Sequence, residues 1–283
     1  MGVGGCVLFY RLLCFDYDGT AAEGGHFPSQ RVREAVTAAQ HAGARVLLAT
    51  GRSFGAAYRY AEALGLRDAV IASQGAIVKE MASPYATLVR EVLPLEPLAE
   101  FLALAEARDL DVSLYGEEEY YITAQRRSPE FHRRWFGPPC HQVASYADAL
   151  RVLQAKGQAP IKALMIVEPG EGAPLAAELH AIFQGRLTVL RSHELFTEVT
   201  SPNASKGNAL AFLAERYGIP QAATIAVGDS DNDISMIRWA GLGVAIGNAA
   251  AEVIAAADCV APSVFDDGLA AVIEEFVLRN GRG

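Results

Sequence analysis

Phe15-Asp16-Tyr17-Asp18-Gly19-Thr20 decides how this chain is read. Immediately upstream, Val7-Leu8-Phe9-Tyr10-Arg11-Leu12-Leu13-Cys14-Phe15 is largely apolar and rich in strand formers. Such a run predicts a strand buried on both faces, as in a parallel sheet. Gly19 permits a sharp turn after it, which can fold Asp16 and Asp18 toward one point beyond the strand's end. In open α/β sheets that carboxyl end is where ligands bind. Two acids held close there repel each other unless a cation lies between them or one keeps a proton. The stretch is therefore a candidate metal and acid/base site.

Composition sets the outer bounds. At 283 residues the chain can bury one large core or two modest ones, and 51% hydrophobic with 20% charged residues is ordinary globular material. A net charge of −9 argues against nucleic acid bound through a broad basic face, but not against a small anionic substrate in a local pocket. No apolar run reaches membrane-spanning length. Arg11 interrupts the apolar N-terminal run and acids follow at once, so a signal peptide is not expected. Cys6, Cys14, Cys140 and Cys259 are scattered, the pattern of reduced thiols in a cytoplasmic protein, with Cys14 read as a core thiol.

Along the chain, strands and helices alternate. Ser29 predicts an N-cap for a helix to about His41, with Gly43 as its stop. Strand Arg45–Ala49 ends in Thr50-Gly51-Arg52-Ser53, a helix runs to about Leu64, and strand 69–73 ends in Gln74-Gly75. This alternation predicts a parallel sheet with helices on its faces. From about Ser83 the rhythm changes to hairpins mixed with helices: strands near 87–93, 111–115, 119–123, 161–167, 187–191 and 194–200, with helices near 97–108, 129–136, 146–155 and 174–184. The parallel pattern resumes after Ser201-Pro202-Asn203-Ala204, with a helix opened by Lys206 and a buried strand over 223–227 that ends in Gly228-Asp229-Ser230-Asp231-Asn232-Asp233. The expected organisation is α/β: one core domain from residues 1–83 and 201–283, and an inserted α+β domain over 84–200.

Three strand ends now carry polar clusters: Asp16/Asp18/Thr20, Thr50/Gly51/Arg52 and Asp229/Asn232/Asp233. On neighbouring parallel strands they share one sheet edge. Asp16, Asp18, Asp229 and Asp233 together call for a divalent cation, and an all-oxygen set without His or Cys suits a hard ion such as Mg2+. A hydroxyl, the Gly51 N–H and Lys206 beside it form a phosphate cradle. Residues 229–240 are not an EF-hand, because Ile234 and Ala240 replace its glycine and closing glutamate.

In order and identity these pieces resemble the haloacid dehalogenase (HAD) superfamily of phosphotransferases: Asp16-x-Asp18-Gly-Thr, then Thr50, then Lys206, then Gly228-Asp229-Ser-x-Asn232-Asp233. An α+β insertion between the second and third pieces is similar to the Cof-type subfamily with a C2B cap, as are Ser205-Lys206-Gly207-Asn208, Gly247-Asn248-Ala249 and Asp267-Gly268. Gln74 departs from the subfamily's usual Asn-Gly. The resemblance implies a Rossmann-like core with a cap, and a Mg2+-dependent phosphatase acting on small phosphorylated metabolites such as sugar phosphates. It implies Asp16 as nucleophile, Asp18 as acid/base, and Lys206 with Thr50, Gly51 and Asn232 on the phosphoryl oxygens. It places Mg2+ on Asp16, the Asp18 carbonyl and Asp229, with Asp233 in support.

Arg52, Gln74 and Gly75 are candidate substrate contacts, Arg52 equally a candidate for a helix-start salt bridge. In the cap, Tyr115, Glu117–Glu119, Tyr120, Arg126 and Arg127 are candidate specificity residues against a blander reading as a solvated hairpin. His132, Cys140 and His141 lack regular zinc spacing. The chain is expected to act as a monomer or weak homodimer, with no nucleic-acid or membrane partner. Rival functions are a phosphomutase or phosphotransferase, and a catalytically silent binding protein on the same scaffold.

Overall fold

The computed structural model describes residues 10–128, 130–131, 135–136 and 139–279. The strand expected from Val7 begins at Leu12, and its residues 7–9 and half of the helix expected over 129–136, His132 included, lie outside the described residues.

The first sheet contains β1 (Leu12–Phe15), β2 (Arg45–Ala49), β3 (Ala69–Ala72), β4 (Ile77–Glu80), β5 (Thr87–Arg90), β12 (Thr224–Gly228), β13 (Leu242–Ala245) and β14 (Cys259–Val260). Its order is β14-β13-β12-β1-β2-β3-β4-β5. The chain leaves β1 toward β3 on one side and resumes at β12 on the other, so the order reverses at β1. All pairings from β14 to β3 are parallel, while β4 and β5 run antiparallel. Alternate residues of β1 face opposite sides: Leu13 and Phe15 join the core beneath helix Gln30–His41, Leu12 and Cys14 the core beneath helix Lys206–Arg216. Burial on both faces is why the segment lacks polar alternation. Ser29, Ser53 and Ser205 each accept a hydrogen bond from a backbone N–H in the first turn of the helix they precede, which fixes where those helices start.

The second sheet contains β6 (Asp111–Tyr115), β7 (Tyr120–Ile122), β8 (Cys140–Gln142), β9 (Lys162–Ile166), β10 (Thr188–His193) and β11 (Phe196–Thr200), in the order β10-β11-β9-β6-β7-β8. Helices Leu95–Ala107, Tyr146–Ala155 and Gly172–Phe183 cover one face, packed on Val112, Leu114, Met165 and Val199. The opposite face, with Tyr115, Leu164, Ile166 and Phe196, joins the core of the first sheet.

A boundary after Ser83 does not hold. Thr87–Arg90 pairs with β4, and the Glu91 N–H donates to Ala76 O, so this stretch completes the first sheet. Its half-buried edge position leaves no hydrophobic pattern that names its sheet. We propose the division near residues 91–94 and at 201. Among the described residues no helix is long and apolar enough to cross a membrane.

Ser73, Gln74 and Gly75 take left-handed φ values of 49°, 63° and 88°. A Cβ on Gly75 would lie 2.2 Å from the Ser205 carbonyl oxygen, whereas Gly65, at φ 65°, has open space. Gly75→Ala should therefore lower stability by about 3 kcal/mol, combining backbone strain with overpacking. Gly65→Ala should lose only about 1 kcal/mol. Urea unfolding of both variants checks this, and equal midpoints would count against the close approach.

Candidate active site

β1 and β12 are adjacent and in register, Phe15 opposite Val227, so Asp16 and Asp229 leave the sheet side by side. The Asp16 N–H donates to Val227 O at 3.0 Å, carrying the pairing one residue past the strand. Gly19, at φ 88°, then turns the chain, and a Cβ there would lie 2.4 Å from Asp229 Oδ2. Only a residue without a side chain lets Asp229 approach this turn. Thr20 Oγ1 donates to Asp229 Oδ1 at 2.7 Å, and Ser230 Oγ to Oδ2 at 2.9 Å.

Lys206 lies at the centre, fully buried. Its Nζ donates to Asp16 Oδ1 at 2.7 Å and to Asp233 Oδ1 at 2.6 Å. Asp233 Oδ2 accepts from the Asp229 and Ser230 N–H groups, both at 3.0 Å, so both its oxygens are engaged. One oxygen from each of Asp16, Asp229 and Asp233 lies within 4.8 Å of the others. Burial and the Asp233 charge push the Asp16 carboxyl well above its ordinary range, against the pull of Lys206. The same two causes raise Asp229 to about 6. Burial alone would lower the Lys206 ammonium, but Asp16 and Asp233 outweigh it and raise it. Lys206 bonds two of the three carboxyl groups, and with all three ionised the cluster carries more negative charge than one ammonium neutralises.

Asp18 stands apart from this cluster. Its carboxylate is gripped by Arg52, Nε to Oδ2 and Nη2 to Oδ1, both at 2.7 Å. Arg52 thus makes a salt bridge here, and the Asp18 side chain is not among the acids grouped closely enough to hold a metal ion. Thr50 Oγ1 accepts from the Arg52 N–H at 3.1 Å. Asn232 Nδ2 donates to Gln74 Oε1 at 2.9 Å, while Asn232 Oδ1 is buried without a hydrogen-bond partner among the described residues.

A cavity opens above these groups, walled on the sheet side by Asp16, Asp18, Thr50, Gly51, Arg52 and Asn232. Gln74 and Gly75, expected as substrate contacts, do not line it; the Gln74 side chain is spent on Asn232 and Glu198. The far wall comes from the second sheet, with Tyr115, His193, Phe196, Lys162, Ser192 and Glu198, and from Trp135 and Phe136 in the connection between β7 and β8. Of the expected cap residues only Tyr115 lines the cavity. Glu117 and Glu118 pair with Lys79, and Glu119 with Lys156 and His141. Arg126 pairs with Asp109, Arg127 with Glu168, and Tyr120 is buried against Tyr115. Lys162 and Glu198 are wall residues that the sequence reading passed over. Their signal was a lone charge in each of two fully buried strands, Lys-Ala-Leu-Met-Ile and Phe-Thr-Glu-Val-Thr.

Replacing Lys206 by Met keeps the length and removes the charge, leaving buried acids uncompensated. In metal-free buffer Lys206→Met should lose about 3–5 kcal/mol in urea unfolding. An unchanged midpoint would show that the ammonium does not hold the cluster together.

A family profile described as haloacid dehalogenase-like hydrolase matches residues 13–273. The provisionally named phosphatase YxeH of Bacillus subtilis is 31% identical over 274 residues, spanning 95% of this chain and 99% of its own. Phosphatase YwpJ, also from Bacillus subtilis, is 28% identical over 94% of this chain and 100% of its own. A solved haloacid dehalogenase-like hydrolase from Bacteroides thetaiotaomicron superposes with a TM-score of 0.78 at 27% identity, covering 94% of this chain and 98% of its own. With the strand order, the cap and the motif positions in place, the chain belongs to the haloacid dehalogenase-like hydrolases, in their Cof-type phosphatase subfamily.

Proposed function

We propose that this enzyme hydrolyses small phosphate monoesters, sugar phosphates foremost, with Mg2+ and an aspartyl-phosphate intermediate. The observation that carries the reading is the meeting of Asp16, Lys206, Asp229 and Asp233 beside Thr50 and Gly51, under a cavity roofed by the second sheet.

The donor set fits the ion. Its groups are oxygens only, and its uncompensated negative charge is what a hard divalent cation neutralises. Asp16, the Asp18 carbonyl and Asp229 would hold it, while Asp233, with both oxygens engaged, orders the loop and Lys206. When bound, Mg2+ supplies positive charge to the phosphoryl oxygens.

This chain's residues then divide the work. Among the described residues no hydrogen bond ends on Asp16 Oδ2, which is the oxygen proposed to attack phosphorus. Lys206, Thr50 and the Gly51 N–H hold phosphoryl oxygens, and Asn232 orients the loop beside them. Asp18, once one of its oxygens leaves Arg52 and takes up a proton, protonates the leaving alcohol and then draws a proton from the hydrolytic water, with Arg52 holding its other oxygen. The aromatic wall excludes bulk water and presents flat apolar surface to the leaving group. A fold neighbour at 23% identity is a sugar phosphatase, and the mixture of aromatic and hydrogen-bonding wall groups suits a compact polyhydroxyl leaving group.

A phosphate-release screen over a metabolite panel tests the reading. Turnover is expected with Mg2+, is lost with EDTA, and is abolished in Asp16→Asn; substantial residual activity in that variant would refute the nucleophile. Asp18→Asn should slow kcat by about 10²–10⁴-fold, the usual loss for a general acid/base. An unchanged kcat would reassign that role.

A further inference from the structure

Lys162 and Glu198 are almost completely buried, yet they come from the second sheet and reach the phosphate loop of the first. Thr200 is opposite Lys162 and Glu198 opposite Leu164, so the two are diagonal neighbours on one face of adjacent strands. Lys162 Nζ donates to Glu198 Oε2 and to the Gly51 carbonyl oxygen, both at 2.8 Å. Glu198 Oε1 accepts from Gln74 Nε2 at 2.9 Å. Gln74 Oε1 in turn accepts from Asn232 Nδ2 at 2.9 Å. The Gln74 backbone N–H donates to the Thr50 carbonyl oxygen at 3.2 Å. One unbroken set of hydrogen bonds thus joins the Thr50–Gly51 loop, the Asn232 loop and the second sheet.

Two further observations indicate more than filler. A buried ion pair is a poor source of stability, since apolar residues of similar volume commonly do as well. The Gln74 backbone is also held in a left-handed conformation, at φ 63°, a strain that persists only where the surroundings enforce it. The network packs directly on the loop: a Cβ on Gly51 would lie 2.3 Å from Gln74 Nε2 and 3.3 Å from Glu198 Oε1.

We propose that Lys162, Glu198 and Gln74 are positioning residues that hold Gly51 and Asn232 in register for a phosphoryl dianion, so that the phosphate site is complete only when the second sheet is docked. The inference rests on the phosphatase reading above for its ligand. Lys162 and Glu198 act through Gly51 and Gln74, and Gln74 through Asn232.

The test uses the full-length protein with Mg2+, the single variants Lys162→Met and Glu198→Leu, the double variant, and Gln74→Leu. Inorganic phosphate binding is measured by calorimetry, kcat and KM on a generic aryl phosphate, and Tm by thermal unfolding. Each single charge variant should lower Tm, and the double variant should recover it. The double variant and Gln74→Leu should nevertheless bind phosphate at least tenfold more weakly and lose at least tenfold in kcat/KM. If stability, phosphate affinity and turnover all return together in the double variant, the pair is only structural and the proposal fails. Should the double variant not fold, wild-type phosphate affinity in Gln74→Leu overturns it equally. A wild-type protein that binds phosphate but hydrolyses no ester, with binding weakened in the variants, sinks the phosphatase reading and upholds the positioning role. If the wild type neither binds phosphate nor hydrolyses the ester, both fall.

Discussion

The buried ammonium of Lys206 between Asp16 and Asp233 is the interaction on which the site depends. Its partners come from opposite ends of the chain, 190 residues away on one side and 27 on the other. A fully buried lysine is tolerated only with such compensation. Asp233 spends its second oxygen on the loop's own N–H groups, so the same side chain that steadies Lys206 shapes the turn presenting Asp229.

The sheet order makes this meeting possible. β1 has β12 on one side and β2 on the other, so the acidic loop and the Thr50–Gly51 loop emerge at one carboxyl edge around the strand that carries Asp16. Asn248 extends the frame: its Nδ2 donates to Gly19 O at 2.9 Å and its Oδ1 accepts from the Val264 N–H at 2.8 Å. The second sheet then supplies what one sheet edge lacks, a roof. Its inward face places aromatic rings over the acids and sends two charged groups down to Gly51 and Gln74.

Much of this was legible in local chemistry. Ser29 marks a helix start because a side-chain oxygen at that position satisfies an otherwise unpaired N–H group, and the structure uses it in that way, as it uses Ser53 and Ser205 at two further helices. The continuous apolar runs before Asp16, Thr50 and Asp229 read as buried strands for the same reason that they are buried. The hairpin Ile77–Glu80 with Thr87–Arg90 was harder. Its edge strand is only half-buried, and its membership in the first sheet depends on pairings that no local pattern encodes.

The sequence by itself determined the elements, the motif order and the groups able to do phosphoryl chemistry, because capping, burial and turn formation act over a few residues. Only the tertiary structure decided which of those groups meet. It separated Asp18, held by Arg52, from the Asp16–Asp229–Asp233 cluster, withdrew Gln74 from the cavity wall, and made Lys162 and Glu198 part of the site. Each of those outcomes follows from distances between side chains far apart in the chain, which depend on sheet order and cross-strand register.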